Sequence, residues 1–281
     1  MKSTNRSRWA ATATAVVVMM AGVVGWRWSL ATGGETSQAS AAAAENEGGA
    51  TTERSPQALA KLLAQLDELQ SSWSATLNRN PGDPAVRQLE EAIARLKTEI
   101  DRVGGQRHCS ASRMYWHTDL ATAQAVAAEQ GKPILSLRML GKLTDELSCA
   151  NSRFFRTTLY ANEAVSQYLR DNFVLHWQSV RPVPTVTVDF GDGRKLVRTV
   201  TGNSAHYVLT AEGQVVDALP GLYGPAAFLE RLQPAVAAAE RCANMPSYQR
   251  AQFLKGYHQQ ALAEMRAAWE RDLSQLNKQK Q

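Results

Sequence analysis

Leu59, Leu62, Leu66, Leu69 and Trp73 recur at steps of three and four, and Ser55-Pro56 stands ahead of them as an N-cap followed by a first-turn proline. After the turn-forming run Asn80-Pro81-Gly82-Asp83-Pro84 the same period resumes with Val86, Leu89, Ile93, Leu96, Ile100 and Val103. Two such seams across one turn predict an antiparallel helical hairpin over 55–104. A third seam, from Phe253 and Tyr257 through Met265 and Trp269 to Leu276, predicts a long helix over 247–278. Each seam needs a surface to bury against, and packing on one another or on the central domain is the simplest solution. A homo-oligomer or a docking coiled coil through these helical seams is the alternative.

Between them the period changes. Thr118 or Asp119 suits an N-cap and Gly131 a C-cap, and Ile134-Leu135-Ser136-Leu137-Arg138-Met139 reads as a strand. Phe154, Phe155, Leu159, Val165, Tyr168 and Leu169 form a helical face broken near Ala161-Asn162, and Phe173-Val174-Leu175-His176-Trp177 reads as a buried strand. Alternating helix and strand predict an α/β sheet with at least one parallel pair. Pro184 to Thr201, turning at Gly191-Asp192-Gly193, reads as an inserted hairpin, and Gly202 to Gly213 as another. Asp189 and Asp192 belong to that first turn, since the spacing of a calcium loop is absent.

The first residues change the picture of where this domain works. Lys2, Arg6 and Arg8 precede an uncharged run from Trp9 to Trp26 that Arg27 closes, the pattern of an export signal. Residues 1–31 are therefore expected to anchor the chain in a membrane with its bulk extracytoplasmic, on the periplasmic side. Secretion after cleavage near Ser29-Leu30-Ala31 is the alternative. Residues 32–54 carry almost no large apolar side chains and read as an unfolded tether.

The chain has 281 residues, with 31 basic and 26 acidic side chains giving a net charge of +5. The basic residues are scattered rather than striped, which argues against nucleic acid as a partner. Three cysteines leave one unpaired in an exported protein. Cys109 lies just before the α/β segment and Cys242 just after it, so a Cys109–Cys242 bridge is the expected structural disulfide; Cys149 paired with either one is the competing arrangement. The five histidines show no ligand spacing with the cysteines, so no metal and no other cofactor is expected.

Cys149 and Ser152 stand at C-x-x-S spacing where a strand should give way to a helix. A thiolate at a helix start is stabilised by unpaired N–H groups and becomes the attacking sulfur. Ser152 lacks the second thiol that releases a mixed disulfide, so an adduct on Cys149 must await an outside thiol. The competing reading is that Cys149 is a small buried hydrophobe.

Trp116-x-Thr118-Asp119-Leu120, Gly131-Lys132-Pro133-Ile134, the C-x-x-S site, Asn162-Glu163-x-Val165 and Phe173-Val174 together resemble the thioredoxin-like superfamily, in particular bacterial extracytoplasmic members, over residues 113–240. The resemblance implies a thioredoxin-like mixed sheet flanked by helices, with Cys149 as attacking residue and Ser152 in the resolving place as a hydroxyl donor to the thiolate. Where the family carries a cis-proline facing the site, this chain has Ser204; Val183-Pro184-Thr185 fits locally but follows the Phe173 strand too closely. The implied function is monothiol exchange with thiols or disulfides of envelope proteins. A non-catalytic thioredoxin-like adaptor of the cell envelope is the alternative.

Overall fold

The computed structural model describes residues 53–279. The expected membrane segment and all but the end of the tether lie outside the described residues. Among the described residues no helix is long and apolar enough to cross a membrane.

Helix α1 (Pro56–Arg79) starts where Ser55 Oγ accepts from Ala58 N at 3.0 Å, and α2 (Pro84–Gly104) where Asp83 Oδ1 accepts from Ala85 N at 2.9 Å. Leu59, Leu63 and Leu66 of α1 close against Ile100 and Val103 of α2. Leu63, rather than the expected Leu62, is the buried member of that seam, and Leu62 packs at its margin. Gly105 ends α2 at φ 72°, a left-handed turn that suits glycine.

A short helix, α3 (Cys109–Ser112), and then α4 (Leu120–Gln130) follow, the latter capped by Asp119 and ended by Gly131. Strand β1 (Ile134–Leu140) leads through a loop to α5 (Ala150–Phe154), one π-helical turn (Phe155–Leu159) and α6 (Glu163–Asn172). Asn162 caps α6 by accepting from Val165 N at 3.1 Å, which explains the break in the apolar face. Strand β2 (Val174–Arg181) then runs parallel to β1.

Strands β3 (Thr185–Asp189) and β4 (Lys195–Thr199) form a separate two-stranded arm. Strands β5 (Ser204–Leu209) and β6 (Val215–Pro220) return to the main sheet, whose order is β2-β1-β5-β6 with β5 antiparallel to both neighbours. Helices α7 (Pro225–Ala243) and α8 (Ser247–Gln279) end the described chain. The protein is thus mixed α/β, a mixed sheet with helices.

On one face of the sheet Leu135, Leu137 and Met139 join Phe155, Leu159 and Val165 and the α7 residues Phe228 and Leu232 in the main core. On the other, Ile134, Val174 and Leu209 meet Ala123 and Ala127 of α4. Phe253, Leu254 and Tyr257 of α8 pack at the margin of the main core, whereas the hairpin clusters with Cys109 and Tyr115. Hairpin and last helix therefore bury against different parts of the body.

The hairpin meets the sheet through a polar joint. Trp116 N donates to Gly104 O at 2.9 Å and its indole to Gln106 Oε1 at 2.6 Å, while the Trp177 indole donates to Gly105 O at 2.7 Å. A side chain on Gly104 would overlap the Cys109 sulfur and press on the Met114 carbonyl. We expect Gly104→Ala to cost about 1–3 kcal/mol in urea unfolding through overpacking. Adding Cys109→Ala, which removes the sulfur, should restore part of that loss; strict additivity of the two changes would show that this contact is not the cause.

Candidate functional site

The loop between β1 and α5 carries Ser148 and Cys149 and is fastened from beneath by Arg156. That guanidinium, 2% exposed, donates to Leu143 O at 3.1 Å and Asp145 O at 2.6 Å. Burial, and then the neighbouring Arg107 and Arg153, hold its pKa below the usual arginine value. Nothing in the sequence marked Arg156, since an arginine in a helical stretch ordinarily reads as a solvated charge.

Cys149 is the N-cap of α5 and is fully buried. Its sulfur accepts from Ser152 N at 3.5 Å and lies 3.9 Å from Asn203 O, to which the thiol donates. The Ser152 hydroxyl, expected to donate to the sulfur, instead shares a hydrogen bond with Ser148 Oγ at 2.5 Å and lies 3.0 Å from Cys149 O. The backbone N–H of Ser152 takes the role assigned to its side chain, because a hydroxyl back-bonds to carbonyls of its own turn.

Over this thiol runs the strap that joins β4 to β5. Ala150 N donates to Thr201 O at 3.4 Å, and Thr199 Oγ1 to Ser148 O at 3.3 Å. Gly202 passes so close to Asn151 that a Cβ there would overlap its amide oxygen. Asn151 Nδ2 in turn donates to Ser204 Oγ at 2.9 Å, so Ser204 faces the start of α5. Pro184 instead precedes β3 in the separate arm, and no cis peptide occurs among the described residues.

All three cysteines are free and buried, so the expected Cys109–Cys242 bridge is not formed, nor is either pairing with Cys149. Cys109 is enclosed by the hairpin cluster, where its thiol donates to Met114 O at 3.3 Å. Burial, aided by the Asp101 carboxylate, pushes that thiol up to about 12. Cys242 lies in α7, raised by burial as well.

Two buried histidines lie outside the expected set. His206 on β5 accepts or donates at Nε2 to Tyr160 OH at 2.6 Å, its Nδ1 has no partner, and Phe155 and Phe228 stack edge-on within 4.9 Å. Burial pushes it down to about 3. His176 on β2 shares a 2.8 Å hydrogen bond with Ser136 Oγ on β1, and burial with the nearby Arg138 and His117 pushes it down to about 4. A histidine within a strand of apolar neighbours was the only sequence signal for either.

Among the described residues no cluster of three or more His, Cys, Asp or Glu side chains is arranged to hold a metal ion. A groove of about 630 Å³ lies among α7, α8 and β6, lined by Arg231, Tyr257 and Glu264 among others, and Cys149 does not line it. Comparison with protein-family models, curated proteins and solved structures finds no match for this chain.

The depressed His206 carries a stability consequence. A folded pKa near 3 against about 6.5 unfolded means that, as pH falls below 6.5, protons bind the unfolded chain first. Stability is expected to decline from pH 6.5 towards 3. In His206→Gln the slope of unfolding free energy against pH between 6 and 4 should be shallower by up to about 1.4 kcal/mol per pH unit. An unchanged slope would show that His206 is not excluded from protons in the fold.

Proposed function

We propose that the chain is a membrane-tethered, extracytoplasmic protein of thioredoxin-like fold that serves as a non-catalytic adaptor of the cell envelope. The fold reading is supported by the strand order β2-β1-β5-β6, with its parallel first pair and its antiparallel second and third pairs. A cysteine capping the helix after β1, with Ser204 opening β5 opposite it, adds to that support. The location rests on Lys2, Arg6 and Arg8 ahead of the uncharged run to Trp26.

The observation that carries the non-catalytic reading is the enclosure of Cys149. Its sulfur is fully buried under the Thr201–Asn203 strap with its contacts made inside the chain, and a buried thiol without access is inert. On α8, Trp269, Leu273 and Leu276 are each more than half exposed.

Monothiol exchange is the second reading, favoured by the Ser152 N–H aimed at the sulfur. It requires the strap to lift. The Cys149 thiolate would then attack a disulfide of an envelope protein, forming a mixed disulfide and releasing the other partner sulfur as thiolate, with the adduct resolved by an external thiol.

The two readings separate by alkylation of the full chain in membranes. The adaptor reading expects Cys149 to react at least about 100-fold more slowly in the native protein than in urea, an opening cost of about 3 kcal/mol. It also expects Cys149→Ser to leave cross-linked envelope complexes unchanged and Leu273→Asp to remove them. Rapid native labelling of Cys149, or mixed disulfides that vanish in Cys149→Ser, would overturn it in favour of exchange.

A further inference from the structure

The β3–β4 arm holds an open strand edge. Every residue of β3 is exposed, with Val186 at 45% and Val188 at 43%. On β4 Lys195, Val197 and Arg198 are exposed as well, but Leu196 and Thr199 are half-buried and Thr199 Oγ1 donates to Ser148 O. The β3 side is the more open one.

The phase of its backbone groups follows from the hydrogen bonds that close the arm. Phe190 N donates to Arg194 O at 3.1 Å and Val200 N to Pro184 O at 3.3 Å. Antiparallel ladders alternate, so Val186 and Val188 turn their N–H and C=O groups towards Arg198 and Leu196, their partners on β4. Thr185, Thr187 and Asp189 turn theirs to the open edge. Edge strands usually carry a lysine, a proline or a bulge that blocks further pairing. Between Thr185 and Asp189 there is none, and the register with β4 is unbroken.

That edge is complementary to itself. An antiparallel partner copy centred on Thr187 sets Thr187 against Thr187 and Thr185 against Asp189, so outward N–H groups meet outward carbonyls throughout. Val186 then lies beside the second copy's Val188, so the valines of the two arms form one continuous row across the junction, with Leu196 and Arg198 of β4 at its margins. Asp189 brings no bare charge, because Lys195 Nζ sits 3.2 Å from its carboxylate. The corresponding pairing of β4 about Val197 would put Arg198 beside Leu196 and has no such match.

We propose that β3 is a homodimerisation edge, joining two copies of this chain antiparallel about Thr187 into one four-stranded sheet. This interface is independent of the helical seams and of Cys149. An edge of 5 residues is short, so the dimer depends on concentration.

The test uses the full chain in density-matched detergent. Sedimentation should show an apparent protein mass rising with concentration from 30.8 kDa towards twice that value. In the dimer the two Thr187 Cα atoms are about 5.5 Å apart, within disulfide range. Thr187→Cys should therefore cross-link to a dimer under mild oxidation, with loss of the band when a thiol reductant is added. Val197→Cys on β4, about 15 Å from its counterpart by strand spacing, should not. Thr187→Pro removes only an outward N–H, which edge strands tolerate, and should return the protein to monomer with its melting curve retained. A wild-type chain that stays monomeric, equal cross-linking at Val197→Cys, or a dimer that survives Thr187→Pro would each overturn the proposal. Cross-linking of Thr187→Cys to a different protein alone would overturn it in favour of a foreign strand.

Discussion

Strand β1 has to be dry on both faces at once, and most of the molecule is arranged around that requirement. Ile134, Leu135, Leu137 and Met139 are all fully buried. Each such side chain contributes roughly 1.5–3 kcal/mol over exposure, but only if both faces are covered and both edges paired. Helix α4 covers one face and α5, α6 and α7 the other, while β2 and β5 occupy the edges. The price is a buried hydroxyl at Ser136, and His176 on β2 satisfies it. A parallel neighbour demands a crossover, and that crossover delivers Cys149 to the end of β1.

At that end the chain closes on itself. Arg156 gathers the carbonyls of the loop, the Ser148–Ser152 pair knits its last turn, and the strap to β5 lies across the sulfur. Ser148 and Cys149 are thereby buried, while Lys142 and Thr144 to Leu147 of the same loop stay exposed. The outer surface differs in kind. Apolar side chains stand exposed along the second half of α8 and on the β3–β4 arm.

Much of this organisation was legible as period. Helical seams, the caps at Ser55 and Asp119, the break near Asn162 and the glycine stop at Gly131 are local features, and local hydrogen bonding enforces them wherever they occur. The arm between Pro184 and Thr201 was also legible, because its Gly191-Asp192-Gly193 turn sits between β-rich runs. The choice between Leu62 and Leu63 was not, since both lie near the edge of a broad apolar stripe and only the partner helix selects one.

Sequence alone determined the alternation of helix and strand, the parallel pair it implies, and the position of Cys149 where strand yields to helix. Tertiary structure decided what surrounds that cysteine: the N–H of Ser152 rather than its hydroxyl, the Asn203 carbonyl, and burial without a bridge. It also decided that Cys109 and Cys242 remain free, although their places along the chain suggested a clasp. The reason is one of range. Caps and periods are settled within a few residues, whereas the environment of a thiol is set by segments that meet only after folding; Cys149 and Asn203 stand 54 residues apart.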